Sequence, residues 1–172
     1  GSLLLTIRKD NTPYIGLTYY MSDPESLVAA LEKDSIEFLQ KPKSDDFVKR
    51  YLFKAPGGLN IVLSNNPGGF TQPTGTTLLT MQPADYSVPE KYPNKICGAF
   101  GEFAYPVTDL AAALSFWKKI GFKVKAEMKS PYPHAILSDG LMIIGLHQAT
   151  HFNYPAITYF GIKTAERIGQ LK

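Results

Sequence analysis

Few side chains of this 172-residue sequence can do chemistry, since it holds only three histidines and one cysteine. Glu102 lies inside one apolar segment, and His147 ends another. Carboxylate and imidazole groups bind divalent metals and transfer protons. Glu102 and His147 are therefore the first side chains to consider for a functional site.

Charge and cysteine content exclude several classes of function. The net charge of +3 comes from 18 basic and 15 acidic residues that are scattered along the chain, so we expect no nucleic-acid partner. Cys97 stands alone, which excludes an internal disulfide and a thiolate zinc site and favours a cytoplasmic setting. No apolar run approaches the roughly 20 residues that span a bilayer, so we expect no membrane partner.

The candidate residues must be positioned by strands and helices that the sequence pattern predicts. Residues 14–21 form an apolar and aromatic run that predicts a strand. Ser22 or Asp23 then caps a helix that begins at Pro24 and runs to about Asp34. Further strands are predicted at 36–39, 48–53 and 59–63, so the order is β-α-β-β-β.

The second half repeats this order. A strand at 100–107 precedes Asp109, which caps a helix that ends at Gly121, and strands follow at 122–126, 134–137 and 141–147. Asp23 precedes Ile36 by the same 13 positions as Asp109 precedes Phe122. The sequence therefore predicts an internal repeat.

Further matches extend this repeat towards both chain ends. Residues 157–160 match 17–20, which predicts the strand and helix that begin a third module, and residues 4–8 resemble 143–147. We expect the last strand of an incomplete module at 1–12, complete modules at 13–66 and 98–150, a connection at 67–97 and the start of the third module at 151–172. Either the chain is part of a longer tandem-module protein, or a partner chain completes it as a homodimer.

A family resemblance rests on six segments. They are EFAYPVTDL at 102–110, SFWKKIGF at 115–122, DG at 139–140, DPESLVAAL at 23–31, IEF at 36–38 and PGGLNIVL at 56–63. In this order they resemble the modules of the vicinal-oxygen-chelate superfamily, which includes glyoxalases, bleomycin-resistance proteins and extradiol dioxygenases. The resemblance implies an α+β fold of paired βαβββ modules, whose curved mixed sheets surround a cleft that holds a small-molecule ligand.

Family members with chemistry bind a divalent metal through the first and fourth strands of each module. By this resemblance the first-strand positions are Glu102 and Gly16. The fourth-strand positions are Val62 or Leu63, Ile144 or Gly145, and Thr6 in the partial strand. Of these positions only Glu102 can bind a metal, although His147 lies two residues beyond Gly145 and on the same strand face. The resemblance thus makes Glu102 with His147 a candidate partial metal site, and it makes Glu102, as a lone carboxylate in the cleft, a candidate catalytic base. We therefore expect no cofactor, or else a divalent ion such as Fe, Mn, Ni or Zn in an incomplete site.

Aromatic and basic side chains supply further ligand-binding candidates. Tyr19, Tyr105 and Tyr159 stand at corresponding places on first strands, where each either packs in the core or lines an aromatic cleft wall. Arg8 shares a strand face with Thr6 and is a candidate for contact with an anionic ligand. His134 is expected to be structural, and His151 is expected in a solvated loop.

Three functions remain open on this sequence. The first is a glyoxalase- or bleomycin-resistance-like protein that binds a small organic ligand without the usual complete metal site. The second is a metal-dependent lyase, isomerase or dioxygenase that uses Glu102, His147 and groups from another module. The third is a structural or interaction module.

Overall fold

The computed structural model describes residues 15–65, 87–92, 97–140, 142–161 and 168–169. The predicted strand at 1–12, including Arg8, lies outside these residues. So do most of the predicted connection at 67–97 and most of the helix predicted for the third module.

The first module forms a four-stranded sheet with one helix. Its elements are β1 (Gly16–Met21), α1 (Pro24–Lys33), β2 (Phe38–Gln40), β3 (Arg50–Lys54) and β4 (Asn60–Asn65). The strand order is β1-β4-β3-β2, in which β1 runs parallel to β4 and the other neighbours are antiparallel.

The second module has the same elements in the same spatial order. They are β5 (Ala99–Pro106), α2 (Leu110–Lys119), β6 (Lys123–Met128), β7 (His134–Ser138) and β8 (Ile143–His147), and a 3-10 turn (Pro89–Lys91) lies ahead of them in the chain. The order β5-β8-β7-β6 repeats that of the first module. The predicted α+β fold of βαβββ modules with mixed sheets is therefore confirmed.

The sheet of the second module continues into one more strand, β9 (Ala156–Phe160), which pairs antiparallel with β5. Among the described residues, strand pairing thus joins the second module to residues beyond 155 and not to the first module. The sheet that carries Glu102 is built from these two parts of the chain.

Matching caps fix the two helices. The side chain of Asp23 accepts a hydrogen bond from the Ser26 backbone N–H at 3.1 Å, and that of Asp109 accepts one from the Ala112 N–H at 3.0 Å. These bonds satisfy donors that the first helical turn leaves free, as the sequence predicted. The pKa of Asp23 is lowered because Ser26 donates hydrogen bonds to its carboxylate.

The C-terminal ends of the helices also match. The backbone N–H of Ile36 donates to the Leu31 carbonyl, as that of Phe122 donates to the Trp117 carbonyl, both at 3.0 Å. This is the Schellman arrangement, in which the residue before the donor takes a left-handed conformation. That residue is Gly121 in the second module, with φ of 99°, but Ser35 in the first, with φ of 64°.

The two modules share one hydrophobic core. Trp117 is 0% exposed, and Phe53 of the first module is 1% exposed. Both belong to one cluster of buried residues that come from both sheets and both helices. The ring of Phe53 lies 6.3 Å from that of Phe116 on α2, between centroids. The first module therefore packs against the helix-bearing side of the second.

A reciprocal pair of tyrosines holds this interface. Tyr105 on β5 donates its phenol hydrogen to the Gly57 carbonyl at 2.7 Å, in the β3–β4 turn of the first module. Tyr19, at the matching place on β1, donates to Asp139 Oδ2 at 2.8 Å, in the β7–β8 turn of the second. Each module thus reaches into the same turn of the other, as an approximate twofold relation requires.

None of the described helices is long and apolar enough to cross a membrane.

Ser35→Gly is expected to stabilise the protein. A residue with a side chain in the left-handed conformation costs roughly 1–2 kcal/mol, part of which glycine loses again through its greater freedom in the unfolded chain. We expect the free energy of unfolding to rise by about 0.5–1 kcal/mol in urea titrations. Gly121→Ser is the matched reverse change and should lower it, and a loss of stability in Ser35→Gly would contradict the matched helix ends.

The tyrosine pair predicts a stability loss at high pH. Burial, with Asp139 as hydrogen-bond partner, raises the pKa of Tyr19, and burial raises the pKa of Tyr105. The folded state therefore keeps protons that the unfolded state releases near pH 10.0, so stability falls as the pH rises above that value. In the double variant Tyr19→Phe and Tyr105→Phe, the slope of unfolding free energy against pH should be shallower above pH 10. An equal slope would refute this role.

Candidate functional site

Glu102 and His147 form a buried hydrogen-bonded pair on the five-stranded sheet. Glu102 comes from β5 and His147 ends β8, which is the parallel neighbour of β5. The imidazole Nε2 lies 2.9 Å from the carboxylate Oε1, and the two side chains are 10% and 11% exposed. The structure thus brings together the two residues that the sequence proposed for a partial site.

Two small residues between the strands allow this contact. Ala104 and Gly145 are register partners, with Glu102 two positions before Ala104 and His147 two positions after Gly145. A Cβ atom at Gly145 would overlap the Glu102 carboxylate and lie 2.6 Å from His147 Nε2. The carboxylate and the imidazole therefore meet in space that exists only because position 145 is glycine.

Tyr132 extends the pair into a chain of three groups. Its phenol oxygen lies 3.2 Å from His147 Nδ1. A carboxylate oxygen only accepts hydrogen bonds, so His147 donates from Nε2 to Glu102, and in the neutral imidazole Nδ1 then accepts from the Tyr132 phenol. This tautomer is assigned from the hydrogen-bond network. Both imidazole nitrogens are engaged.

All three histidines of the chain pack around the same tyrosine ring. The ring centroids of His134, His147 and His151 lie 5.3, 5.8 and 5.1 Å from that of Tyr132. His134 stacks on His147 at 5.6 Å and 5°, as register partners on β7 and β8, and Phe152 contacts His147 edge to face at 5.5 Å. Rings from two loops thus wall one side of the Glu102–His147 pair.

The second carboxylate oxygen of Glu102 has no hydrogen-bond partner among the described residues. Oε2 is buried there without a donor. Thr158 on β9 lies opposite Glu102, but its hydroxyl accepts from the Glu102 N–H and donates to the Glu102 carbonyl, both at 3.2 Å. A buried polar atom without a hydrogen bond costs about 1–3 kcal/mol, and more when it is charged. Such an atom calls for a group that satisfies it.

The predicted tyrosines lie elsewhere. Tyr19 and Tyr105 belong to the core and bond across the modules, and strand alternation points Tyr105 away from the face that carries Glu102. Tyr159 is 41% exposed, and its ring lies 6.3 Å from that of Phe100. A ligand-binding role of Tyr19 or Tyr105 gains no support from these contacts, and Arg8 lies outside the described residues.

The sequence did not lead us to predict Tyr132 as a site residue, and His134 was expected to be structural. Tyr132 belongs to the β6–β7 loop, where no periodic pattern singles it out. The signal that was present is the position of His134 at the start of a strand. Because β7 and β8 form an antiparallel hairpin, His134 and His147 must be neighbours across it, and Tyr132, two residues before His134, then lies beside both.

The described residues do not complete a metal site. Among them no group of three His, Cys, Asp or Glu side chains is placed to hold a metal ion. A catalytic metal normally takes three protein ligands and keeps one position open. His147 has no free nitrogen lone pair in the assigned tautomer, so Glu102 Oε2 is the one ready ligand atom of the pair. A metal here would need ligands from outside the described residues.

Comparison with solved structures identifies the fold. A catechol 2,3-dioxygenase superposes with a TM-score of 0.51 and 12% identity, over 90% of this chain and 54% of that chain. BphC, a halotolerant catechol dioxygenase, gives 0.50 and 15%, over 90% of this chain and 55% of that one. The chain therefore spans about half the length of these enzymes. A scan against protein-family models and a search of curated proteins found no match.

These structures have the vicinal-oxygen-chelate fold, so this chain has that fold, and the fold predicted from the sequence is confirmed. At these identities the likeness establishes the fold and not the reaction. What the site binds has to be argued from its own residues.

Gly145→Ala is expected to break the Glu102–His147 hydrogen bond. The added methyl group competes with both side chains for the same space, so we expect a loss of about 1–3 kcal/mol in unfolding free energy, typical of overpacking. The downfield proton NMR signal of the His147 Nε2–H should disappear. Gly169→Ala is the control, because a Cβ there meets nothing within 4 Å. A retained signal in Gly145→Ala would show that the pair does not depend on the glycine.

Proposed function

We propose that this chain binds a small organic ligand on the sheet face that carries Glu102, Gly145 and His147, which we call the Glu102 face. In the superfamily fold this face is the wall of the cleft. The observation that carries the proposal is the buried carboxylate, with one oxygen held by His147 and the other given no donor by the part of the chain that the structure describes. Such a group orients a ligand, because an incoming donor removes the cost of its burial.

The surroundings of Glu102 support ligand binding of the drug-sequestering, bleomycin-resistance kind. Binding sites for small molecules combine apolar and aromatic walls with a few fixed polar groups. Tyr132, Phe152 and His134 supply ring surfaces beside the pair, and the hydrogen bonds of His147 fix the direction of the carboxylate. Nothing in this arrangement requires a metal for binding.

The alternative is a metal-dependent lyase, isomerase or dioxygenase, in which Glu102 acts as ligand or base. The free Oε2 atom favours it, since a divalent ion such as Fe, Mn, Ni or Zn also satisfies a carboxylate oxygen. This reading needs His147 to give up its bond to Glu102 and further ligands to come from another module. Those requirements make it the second candidate.

The assembly that completes the site belongs to the same proposal. We propose that a module starting with β9, from the same longer chain or from a second copy of this chain in a homodimer, covers the Glu102 face in the cytoplasm. Support comes from the pairing of β5 with β9, which extends the sheet of the second module past Glu102.

Metal analysis separates the two candidates. Protein purified without chelator should carry well below one equivalent of Fe, Mn, Ni or Zn by mass spectrometry, because the described residues offer too few ligands. Glu102→Ala and the control Glu127→Ala, which removes an exposed carboxylate on β6, should then have equally low metal content. Near one equivalent in the wild type that is lost only in Glu102→Ala would establish the metal-dependent alternative.

A further inference from the structure

We infer that Thr158 is a positioning residue of the Glu102 face. Its hydroxyl holds the backbone of Glu102 at a β-bulge, and this determines the direction in which the carboxylate reaches His147. The inference rests on the proposed function and adds a way of regulating it, because Thr158 belongs to β9. Docking of β9 and formation of the Glu102–His147 pair are then coupled.

The bulge lies directly before Glu102 in β5. The register between β5 and β9 passes from the pair Phe100–Tyr159 to the pair Glu102–Thr158. Gly101 is therefore the extra residue, so that two residues of β5 stand opposite one residue of β9. A bulge bends its strand, disrupts the hydrogen-bond ladder and re-aims the neighbouring side chain. The direction of the Glu102 side chain thus depends on how this bulge is held.

The strand on the other side of β5 does not hold Glu102 in register. The register partners of β5 on β8 run from Phe103 to Pro106, so this pairing begins one residue after Glu102. His147 lies at the far end of it, opposite Pro106, and the carboxylate must lean along the strand to meet its Nε2 at 2.9 Å. Hydrogen bonds weaken steeply as distance and angle depart from ideal values. A rotation of the Glu102 backbone would therefore weaken this bond.

The Thr158 hydroxyl contacts both polar groups of the Glu102 backbone. It accepts from the N–H and donates to the carbonyl, at 3.2 Å in each case. A hydroxyl has one hydrogen and two lone pairs, so a single threonine can make both bonds at once. The two bonds hold the peptide groups on either side of the Glu102 Cα atom, and these set the direction of the side chain. Valine has nearly the same shape and can make neither bond.

Two glycines allow β9 to approach this closely. A Cβ atom at Gly101 would lie 2.7 Å from the Phe160 ring and 3.1 Å from Thr158 Oγ1, and one at Gly98 would overlap the Phe160 carbonyl oxygen. Gly98 also has φ of 109°, a conformation that favours glycine. The chain at the start of β5 is thus shaped to fit β9, as an element that positions Glu102 requires.

Thr158→Val tests the inference on the full chain without added ligand. The readout is the downfield NMR signal of the His147 Nε2–H, whose exchange with water should become about fivefold to tenfold faster, as expected for the loss of a typical hydrogen bond. Thr158→Ser keeps the hydroxyl and should restore the wild-type rate. Tyr159→Phe is the matched control, since it removes a hydroxyl from the opposite face of β9 and should leave the rate unchanged.

An unchanged exchange rate in Thr158→Val would overturn the inference, and so would a rate in Thr158→Ser as fast as in Thr158→Val. If Thr158→Val does not fold, hydrogen exchange of the wild-type protein decides in its place. The amides of β9 that bond to β5 and the His147 Nε2–H should then exchange through the same opening, with the same dependence on low urea concentrations. A His147 proton that stays protected while these amides exchange would show that Thr158 does not position Glu102. None of these results alters the metal content that tests the proposed function, so the two can fail separately.

Discussion

One shared core is the constraint on which the rest of this structure depends. A βαβββ module of about 50 residues is too small to bury its own apolar sheet face well, so it needs a partner surface. The first and second modules supply that surface to each other, with Phe53, Phe116 and Trp117 at the contact. Because one face of each sheet is used for this contact, the opposite face of the five-stranded sheet is the one left for a site, and strand alternation places Glu102 there.

The reciprocal tyrosines show how closely the two halves follow one plan. Tyr19 and Tyr105 occupy matching positions. Tyr105 donates to the β3–β4 turn of the first module, and Tyr19 donates to the corresponding β7–β8 turn of the second. A tyrosine suits this place because its ring adds to the core while its hydroxyl reaches a polar acceptor in the turn of the other module. The sequence repeat therefore matters for packing, because the same tyrosine in each repeat stabilises the contact between the two modules.

The repeat made most of the fold predictable. The sequence predicted both helices, their aspartate caps and the order of elements along each module. These could be predicted because strand and helix periods and capping residues are local properties. Which strand pairs with the edge of each sheet could not be predicted in the same way. Pairing of β5 with β9 joins residues over 50 positions apart, and no local pattern specifies such a contact. Strand ends differ from the prediction by up to two residues, as at β2 and β3, where turns and a bulge intervene.

Glu102 and His147 were both predicted as site residues from the sequence, but their contact depends on Gly145, which has no side chain that could react or bind a ligand. In parallel neighbours the two side chains stand two positions to either side of the Ala104–Gly145 pair, so they must lean towards each other above it. Any side chain at position 145 would fill that space. Of the two residues that the resemblance gives for the fourth-strand ligand position, Ile144 and Gly145, the glycine leaves the space into which the imidazole from two residues further on reaches. His147 thus gives one oxygen of Glu102 a hydrogen-bond donor, whereas the other oxygen meets no donor among the described residues.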